Sequence, residues 1–188
     1  MAMTAQPRRP ASADLVDVFD LAETGSTRAG SYTLAQLPRL AAEQAGRPAD
    51  SAAGAPIAFA LTGFIDERGR PSARLQFGGQ IDLACDRCGE PLRWALGGQA
   101  RYFFVATEPE LAQLPVDEAE EEPLLGSARF DLRNLLEDEA LLALPMSPRH
   151  DHCRPPAERR PRAAGVDEAV LERPHPFAAL EKLRSRRH

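Results

Sequence analysis

The chain has 188 residues, of which 43% are hydrophobic and 27% charged, and its formal net charge is −5 at pH 7. This size supports one core with tails, while 17 prolines and 13 glycines predict sizeable loops. Because no apolar run approaches the roughly 18 residues of a membrane span or forms a secretion signal, we expect a cytoplasmic protein without a membrane anchor. Acidic residues crowd the middle and arginines the end, without the domain-scale basic excess that extensive wrapping of nucleic acid requires.

The N-terminal part of the chain predicts one strand, one helix and one loop. Residues Leu15 to Leu21 are rich in β-branched and aromatic side chains, which favours a strand before the turn-forming Thr24–Thr27. Leucines at helical spacing predict a helix within Thr33 to Ala45. Small residues, proline and glycine from Gly46 to Pro56 indicate a loop.

Strict alternation of apolar and polar residues predicts three long antiparallel strands between residues 57 and 106. The chain reverses at Asp66–Pro71 and again at Cys85–Pro91, and Gly97–Gly98 predicts a bulge or bend in the third strand. One face of each strand is expected to be buried and the other hydrated. The predicted inward residues are Ile57, Phe59, Leu61, Ile65, Leu75, Phe77, Ile81, Leu83, Leu92, Trp94, Leu96, Ala100, Tyr102 and Phe104.

The C-terminal part predicts an acidic loop, a helix and a tail. Residues Glu108 to Gly126 indicate a solvated loop, and Asp131 is a candidate cap for a helix reaching Leu144 whose apolar stripe packs on the sheet. The segment from Arg154 to Gly165 is rich in proline and arginine.

These elements predict an α+β fold, in which one or two helices pack on a small antiparallel sheet of about three to five strands. The single domain is expected to span residues 1–153 and to include the Cys85–Cys88 hairpin and the helix. Residues 154–188 are expected to form a mobile tail with a short terminal helix.

Cys85 and Cys88 flank two residues at the tip of the predicted hairpin, which is the shape of half a zinc knuckle. Cys153 and His150 supply the further ligands of a Cys₃His site, so we predict one structural zinc held by these four residues. Two other interpretations stay open. In the first, Cys85 is an inert buried thiol that continues the apolar face of Ile81 and Leu83, and the histidines are loop residues. In the second, Cys85 and Cys88 form a redox pair, although redox pairs usually open a helix.

No nucleophile turn or phosphate-binding glycine loop occurs, so we expect neither an enzyme nor a small-molecule substrate. Two surfaces are candidates for contacting a protein partner, an acidic patch on the predicted helix and an apolar stripe near the end of the chain. They comprise Glu137, Asp138, Glu139, Phe177, Leu180 and Leu183. The candidates for contacting RNA on the hydrated sheet face are Arg74, Arg87, Arg93 and Arg101.

Several blocks of sequence are informative together: Leu83–Cys88 with Pro91, Leu136–Pro145 with Pro148 and His150, Cys153, and Pro174–Leu180. Together they resemble the bacterial YceD family, the large ribosomal RNA subunit accumulation proteins. The blocks follow the family's order and extend the resemblance over roughly residues 15 to 183. Asp86 stands where the family usually has glutamine, and His175 where it usually has asparagine; neither change removes a predicted metal ligand.

The resemblance implies a non-catalytic, cytoplasmic ribosome biogenesis factor that supports the synthesis, processing or stability of large-subunit (23S) ribosomal RNA. Its partner would be ribosomal RNA or a ribosome-assembly or RNA-processing protein. The alternatives are a thiol-disulfide oxidoreductase using Cys85 and Cys88, or a zinc-stabilised protein-interaction module unrelated to ribosomes.

Overall fold

A computed structural model describes residues 14–45, 56–114 and 121–154. Seven strands and four α-helices occur there, with one 3₁₀ turn at Leu34–Gln36. In chain order they are β1 (Leu15–Val16), α1 (Val18–Thr24), β2 (Thr27–Tyr32), α2 (Pro38–Ala42), β3 (Ile57–Ile65), β4 (Pro71–Ala84), β5 (Pro91–Val105), α3 (Glu108–Ala112), β6 (Glu122–Leu125), β7 (Phe130–Asp131) and α4 (Leu132–Leu142). No helix of the described ranges is long and apolar enough to cross a membrane.

The main sheet has five strands in the order β2-β3-β4-β5-β6. The first four are antiparallel neighbours, and the short β6 runs parallel to β5. A separate two-stranded pair joins β1 to β7. These elements confirm the predicted α+β fold and the predicted sheet size. The parallel β6 departs from the predicted antiparallel pairing, and there are more helices than expected.

One face of the sheet carries the core, which α1 and α4 cover. The alternation in β3, β4 and β5 predicted this face, and Leu61, Leu75 and Tyr102 lie fully within it. Ile65 departs from the prediction because it lies at the end of β3 beside the turn and is 47% exposed. Asp131 caps α4 as predicted, since its carboxylate accepts the backbone N–H of Asn134 at 2.9 Å.

The predicted bulge at Gly97–Gly98 is wrong. The pairing of β4 with β5 continues without a skipped residue through Phe77↔Gly98 and Gly78↔Gly97. A Cβ atom on Gly98 would lie 2.8 Å from the ring of Phe77, so this glycine makes room for the aromatic side chain across the strand pair. The glycines therefore serve packing and do not interrupt the ladder.

The predicted strand from Leu15 to Leu21 is also wrong beyond its second residue. Asp17 caps α1 by accepting the backbone N–H groups of Phe19 and Asp20, and Gly25 ends the helix with a φ of 62°. The capping carboxylate and the C-terminal glycine outweigh the strand preference of the intervening valine and phenylalanine. Strand β2, which follows Gly25, was not predicted.

Two further predictions of local structure need correction. The helix expected within Thr33–Ala45 is split into the 3₁₀ turn and α2, because Pro38 begins a new helix at a position where its missing N–H costs little. The acidic loop expected over Glu108–Gly126 contains α3 and β6 at its two ends. The middle of that loop, 115–120, lies outside the described residues, as do 46–55 and the predicted terminal helix.

A buried glutamate joins α4 to α2. Glu137 is 4% exposed, and its Oε1 atom accepts the backbone N–H groups of Arg39 at 2.6 Å and Leu40 at 3.1 Å. Its other oxygen accepts from the Arg39 guanidinium at 3.1 Å. The first N–H groups of a helix lack partners within it, so this carboxylate both satisfies them and fixes α2 against α4.

Substituting Glu137 tests this contact. We expect Glu137→Ala to lower the free energy of unfolding by about 1–3 kcal/mol, because two backbone N–H groups lose their acceptor. Glu137→Gln keeps one oxygen for both donors and is expected to cost less. Asp138→Ala, which removes only the exposed ion pair with Arg39, is the control, with an expected loss below about 1 kcal/mol. Equal losses for Glu137→Ala and Asp138→Ala in urea unfolding would contradict this role.

The domain boundary after residue 153 stays a prediction, since residues 155–188 lie outside the described ranges. The buried apolar residues of the described ranges all precede residue 145. We therefore expect a chain truncated after Gly165 to retain native circular dichroism and to melt within a few degrees of the full chain. Aggregation of the truncated chain, or a loss of several kcal/mol in unfolding free energy, would contradict the boundary.

Candidate metal centre and arginine face

The turn between β4 and β5 is a tight knuckle that starts at Cys85. The Cys85 carbonyl accepts the N–H of Gly89 at 2.8 Å, and the Cys85 N–H donates to the Glu90 carbonyl at 2.9 Å. Gly89 has a φ of 82°, a left-handed conformation that glycine adopts at little cost. These bonds close the turn directly onto the last strand pair, Ala84↔Pro91.

The segment after α4 is fastened to this knuckle. The Asp86 N–H donates to the Pro148 carbonyl at 2.8 Å, and the Ser147 hydroxyl donates to the Asp86 carboxylate at 2.6 Å. Residues far apart in the chain thereby bring His150 beside the two cysteines of the turn.

The imidazole of His150 is oriented through both of its nitrogens. Nε2 lies 3.2 Å from the Pro91 carbonyl oxygen, which only accepts, so Nε2 carries the proton and donates it. In the neutral ring Nδ1 then carries the lone pair, and it lies 3.4 Å from the Cys88 sulfur. A ligating histidine commonly donates its second nitrogen to a carbonyl in this way.

The structure brings together all four predicted ligands. The three sulfurs of Cys85, Cys88 and Cys153 and a ring nitrogen of His150 lie within 4.8 Å of one another. Around a tetrahedral zinc, bond lengths of about 2.3 Å to sulfur and 2.0 Å to nitrogen place neighbouring ligand atoms roughly 3.5–3.8 Å apart. The distance of 3.4 Å from the Cys88 sulfur to the His150 Nδ1 atom is close to this spacing, and the donor set is one that holds zinc in structural sites.

Electrostatics favour a thiolate at Cys85. Burial raises the pKa of this thiol, but hydrogen bonds from the backbone N–H groups of Cys88, His150 and Arg87 outweigh it and lower the pKa to about 5. The thiolate is the form that ligates a metal. Cys85 is only 1% exposed, whereas a redox nucleophile needs access to its substrate, and the pair lies on a strand-to-strand turn without a helix start. The geometry thus favours the metal site over the redox pair.

The four arginines predicted to contact RNA do not form one group. Arg74 and Arg101 lie directly opposite each other in β4 and β5 on the exposed face. Arg93 lies eight residues from Arg101 along β5, about 26 Å at the rise of a strand, and pairs with Asp82 at 3.1 Å. Arg87 is exposed in the knuckle beside the metal cluster.

The acidic residues predicted to contact a protein partner differ in their exposure to solvent. Glu137 faces inward onto α2, while Asp138 is 46% exposed and pairs with Arg39, and Glu139 is half-buried. Phe177, Leu180 and Leu183 lie outside the described residues. Partner contact through these residues stays a prediction.

The arginine face is the exposed sheet surface around Arg74 and Arg101, and two residues that border it, Arg70 and Glu121, were not identified from the sequence. Glu121 bridges Arg70 and Arg101, with its oxygens 3.2 Å and 3.0 Å from their NH2 nitrogens. Arg70 also pairs with Asp66 four residues earlier, at 2.6 Å, and that spacing was the only local signal of this group. Nothing in the acidic run containing Glu121 distinguishes it from its neighbours.

The fold and the cluster define an α+β protein whose longest hairpin ends in a Cys₃His group. A family model described as "Large ribosomal RNA subunit accumulation protein YceD" matches residues 73–184. The large ribosomal RNA subunit accumulation protein YceD of Haemophilus influenzae is 36% identical over 110 residues, which are 56% of this chain and 61% of the relative. No solved structure matches. The chain belongs to the YceD family, as the sequence blocks predicted.

Proposed function

We propose that this chain supports the accumulation of large-subunit (23S) ribosomal RNA in the bacterial cytoplasm, and that it acts by binding. The observation that carries the proposal is the family match, which spans β4, β5, α4 and all four residues of the cluster. The name of the Haemophilus influenzae relative refers to the same process. The chain spans 61% of the length of that relative. The relative's role, and a partner in that role, are therefore proposed for this chain.

The exposed face of the sheet supports direct contact with RNA. The row Thr27–Thr62–Arg74–Arg101 crosses four strands, and the next row places Gln76 beside Gln99 with their amides 3.1 Å apart. Guanidinium, amide and hydroxyl groups are the usual donors to phosphate and sugar oxygens. Such a face suits a small RNA footprint, in keeping with the absence of a basic excess in the chain.

A deletion strain tests the proposed role. Loss of the protein is expected to lower the ratio of large-subunit to small-subunit ribosomal RNA, measured from total RNA in exponential growth. Restoring the gene should restore the ratio. Equal ratios in the deletion strain and its parent across growth conditions would contradict the role.

We further propose that the cluster of Cys85, Cys88, His150 and Cys153 holds one structural zinc. The zinc would tie the knuckle to the segment after α4, where the hydrogen bonds described above are few and partly exposed. Metal binding to such sites contributes directly to folding, by about 10–16 kcal/mol in small zinc motifs.

Matched histidine variants test the zinc site. Protein purified without chelator is expected to contain close to one zinc per chain by elemental analysis. His150→Ala should lose most of this zinc and melt at a clearly lower temperature, whereas His152→Ala, an exposed neighbour outside the cluster, should keep both. Metal-free wild-type protein, or identical behaviour of the two variants, would contradict the site.

A further inference from the structure

We propose that Arg70 and Arg101, which hold the Glu121 carboxylate, form a binding position for a backbone phosphate of single-stranded RNA. The carboxylate occupies this position in the protein alone, and RNA phosphate replaces it on binding. This inference rests on the proposed function and names one point of contact with RNA.

The adjacent positive charges at this position favour binding of an anion. Arg74 and Arg101 are directly opposite each other across β4 and β5, and like charges in such a pair repel. Among the described residues Arg74 makes no ion pair, and Arg101 makes one, with Glu121. Even with Glu121 in place, the pair of Arg74 and Arg101 therefore keeps one positive charge in excess.

The guanidinium groups present the geometry that a phosphate needs. One oxygen of Glu121 lies 3.2 Å from Arg70 NH2 and the other lies 3.0 Å from Arg101 NH2, so two arginines share one two-oxygen anion. Arginine forks bind two oxygens of a phosphate in the same manner as two oxygens of a carboxylate. Arg101 is 42% exposed, which leaves the position open to a ligand from solvent.

Arg70 keeps its place without Glu121. Its guanidinium carbon lies 3.8 Å from the centre of the Phe103 ring, and its Nε atom donates to Asp66 at 2.6 Å. Asp66 also accepts the backbone N–H groups of Arg68 and Arg70, and these bonds together with the guanidinium lower its pKa despite burial. A guanidinium fixed by stacking and an ion pair is organised before the phosphate arrives.

Glu121 is able to leave without disturbing the sheet. The parallel ladder between β5 and β6 begins at Tyr102↔Glu122, so Glu121 precedes the first paired residue. Its departure breaks two ion pairs that an incoming phosphate replaces. The ion pair with the 42% exposed Arg101 is weak, and the less exposed pair with Arg70 is replaced by an equivalent contact between Arg70 and the phosphate.

Binding of a short fluorescent single-stranded RNA to the full chain tests the proposal. Glu121→Gln is expected to tighten binding severalfold, because the phosphate no longer has to displace a carboxylate, and to leave the dependence of log affinity on log salt unchanged, because the number of phosphate contacts in the complex stays the same. Glu122→Gln removes the same charge from the next residue, which is exposed and makes no ion pair in the described ranges. It should leave the affinity nearly unchanged. Arg101→Gln should weaken binding and, combined with Glu121→Gln, remove most of the gain.

Several outcomes would overturn the proposal. Equal effects of Glu121→Gln and Glu122→Gln would show that net charge alone matters. A lowered melting temperature of Glu121→Gln with unchanged RNA affinity would leave only a structural ion pair. Tighter binding of a polyglutamate peptide than of RNA to the Glu121→Gln chain would assign the position to an acidic protein.

The deletion strain separates this inference from the proposed function. A lowered large-subunit ratio, with no response of RNA binding to Glu121→Gln, would refute the phosphate position and keep the function. A normal ratio, with the expected response to Glu121→Gln, would refute the function and keep the phosphate position.

Discussion

The continuous ladder between β4 and β5 is the constraint on which the rest of the structure depends. It runs without interruption from Ser72↔Phe103 to Ala84↔Pro91. Because register in a sheet is fixed in steps of one residue, this pairing sets which residues meet at both ends of the hairpin. At one end it closes the knuckle that carries Cys85 and Cys88. Near the other end it places Arg74 opposite Arg101, so both candidate binding features are consequences of a single register.

The sequence predicts best those features that arise from a short repeating pattern. The alternation in β3, β4 and β5 identified the buried face, because side chains of a strand point to opposite faces in turn. Asp131 predicted the start of α4, because a carboxylate before an apolar stripe is a local capping signal. At Asp17 the strand preference of the following residues hides the same kind of cap from a sequence-based prediction, although in the structure the cap prevails and α1 forms. Gly98 was interpreted as a bulge because its packing partner, Phe77, belongs to another strand.

The candidate site likewise contains some residues that the local sequence identifies and others that only the fold brings together. Cys85 and Cys88 were recognisable from their spacing, and Cys153 with His150 completed a permitted ligand set by composition alone. The orientation of the His150 ring depends on the Pro91 carbonyl, which lies across the turn and leaves no mark in the local sequence. The Glu121 bridge likewise joins a loop, a strand and a β-turn, and one sequence does not say which of several adjacent glutamates reaches the arginines. Contacts of this kind require the fold before they can be assigned.

The two ends of the hairpin carry charge of opposite sign. At each end a bound ion of the opposite sign would offset that charge. At the knuckle, three sulfurs lie close together and backbone N–H groups favour the thiolate at Cys85, a negative charge that a bound cation would offset. On the sheet face, Arg70, Arg74 and Arg101 accumulate positive charge that Glu121 offsets only in part. The proposed zinc would offset that charge and join the knuckle to the segment after α4. The same strand register places Arg74 opposite Arg101 near the other end of the hairpin. The proposed metal site and the proposed phosphate position therefore depend on one strand pairing, although they share no residue.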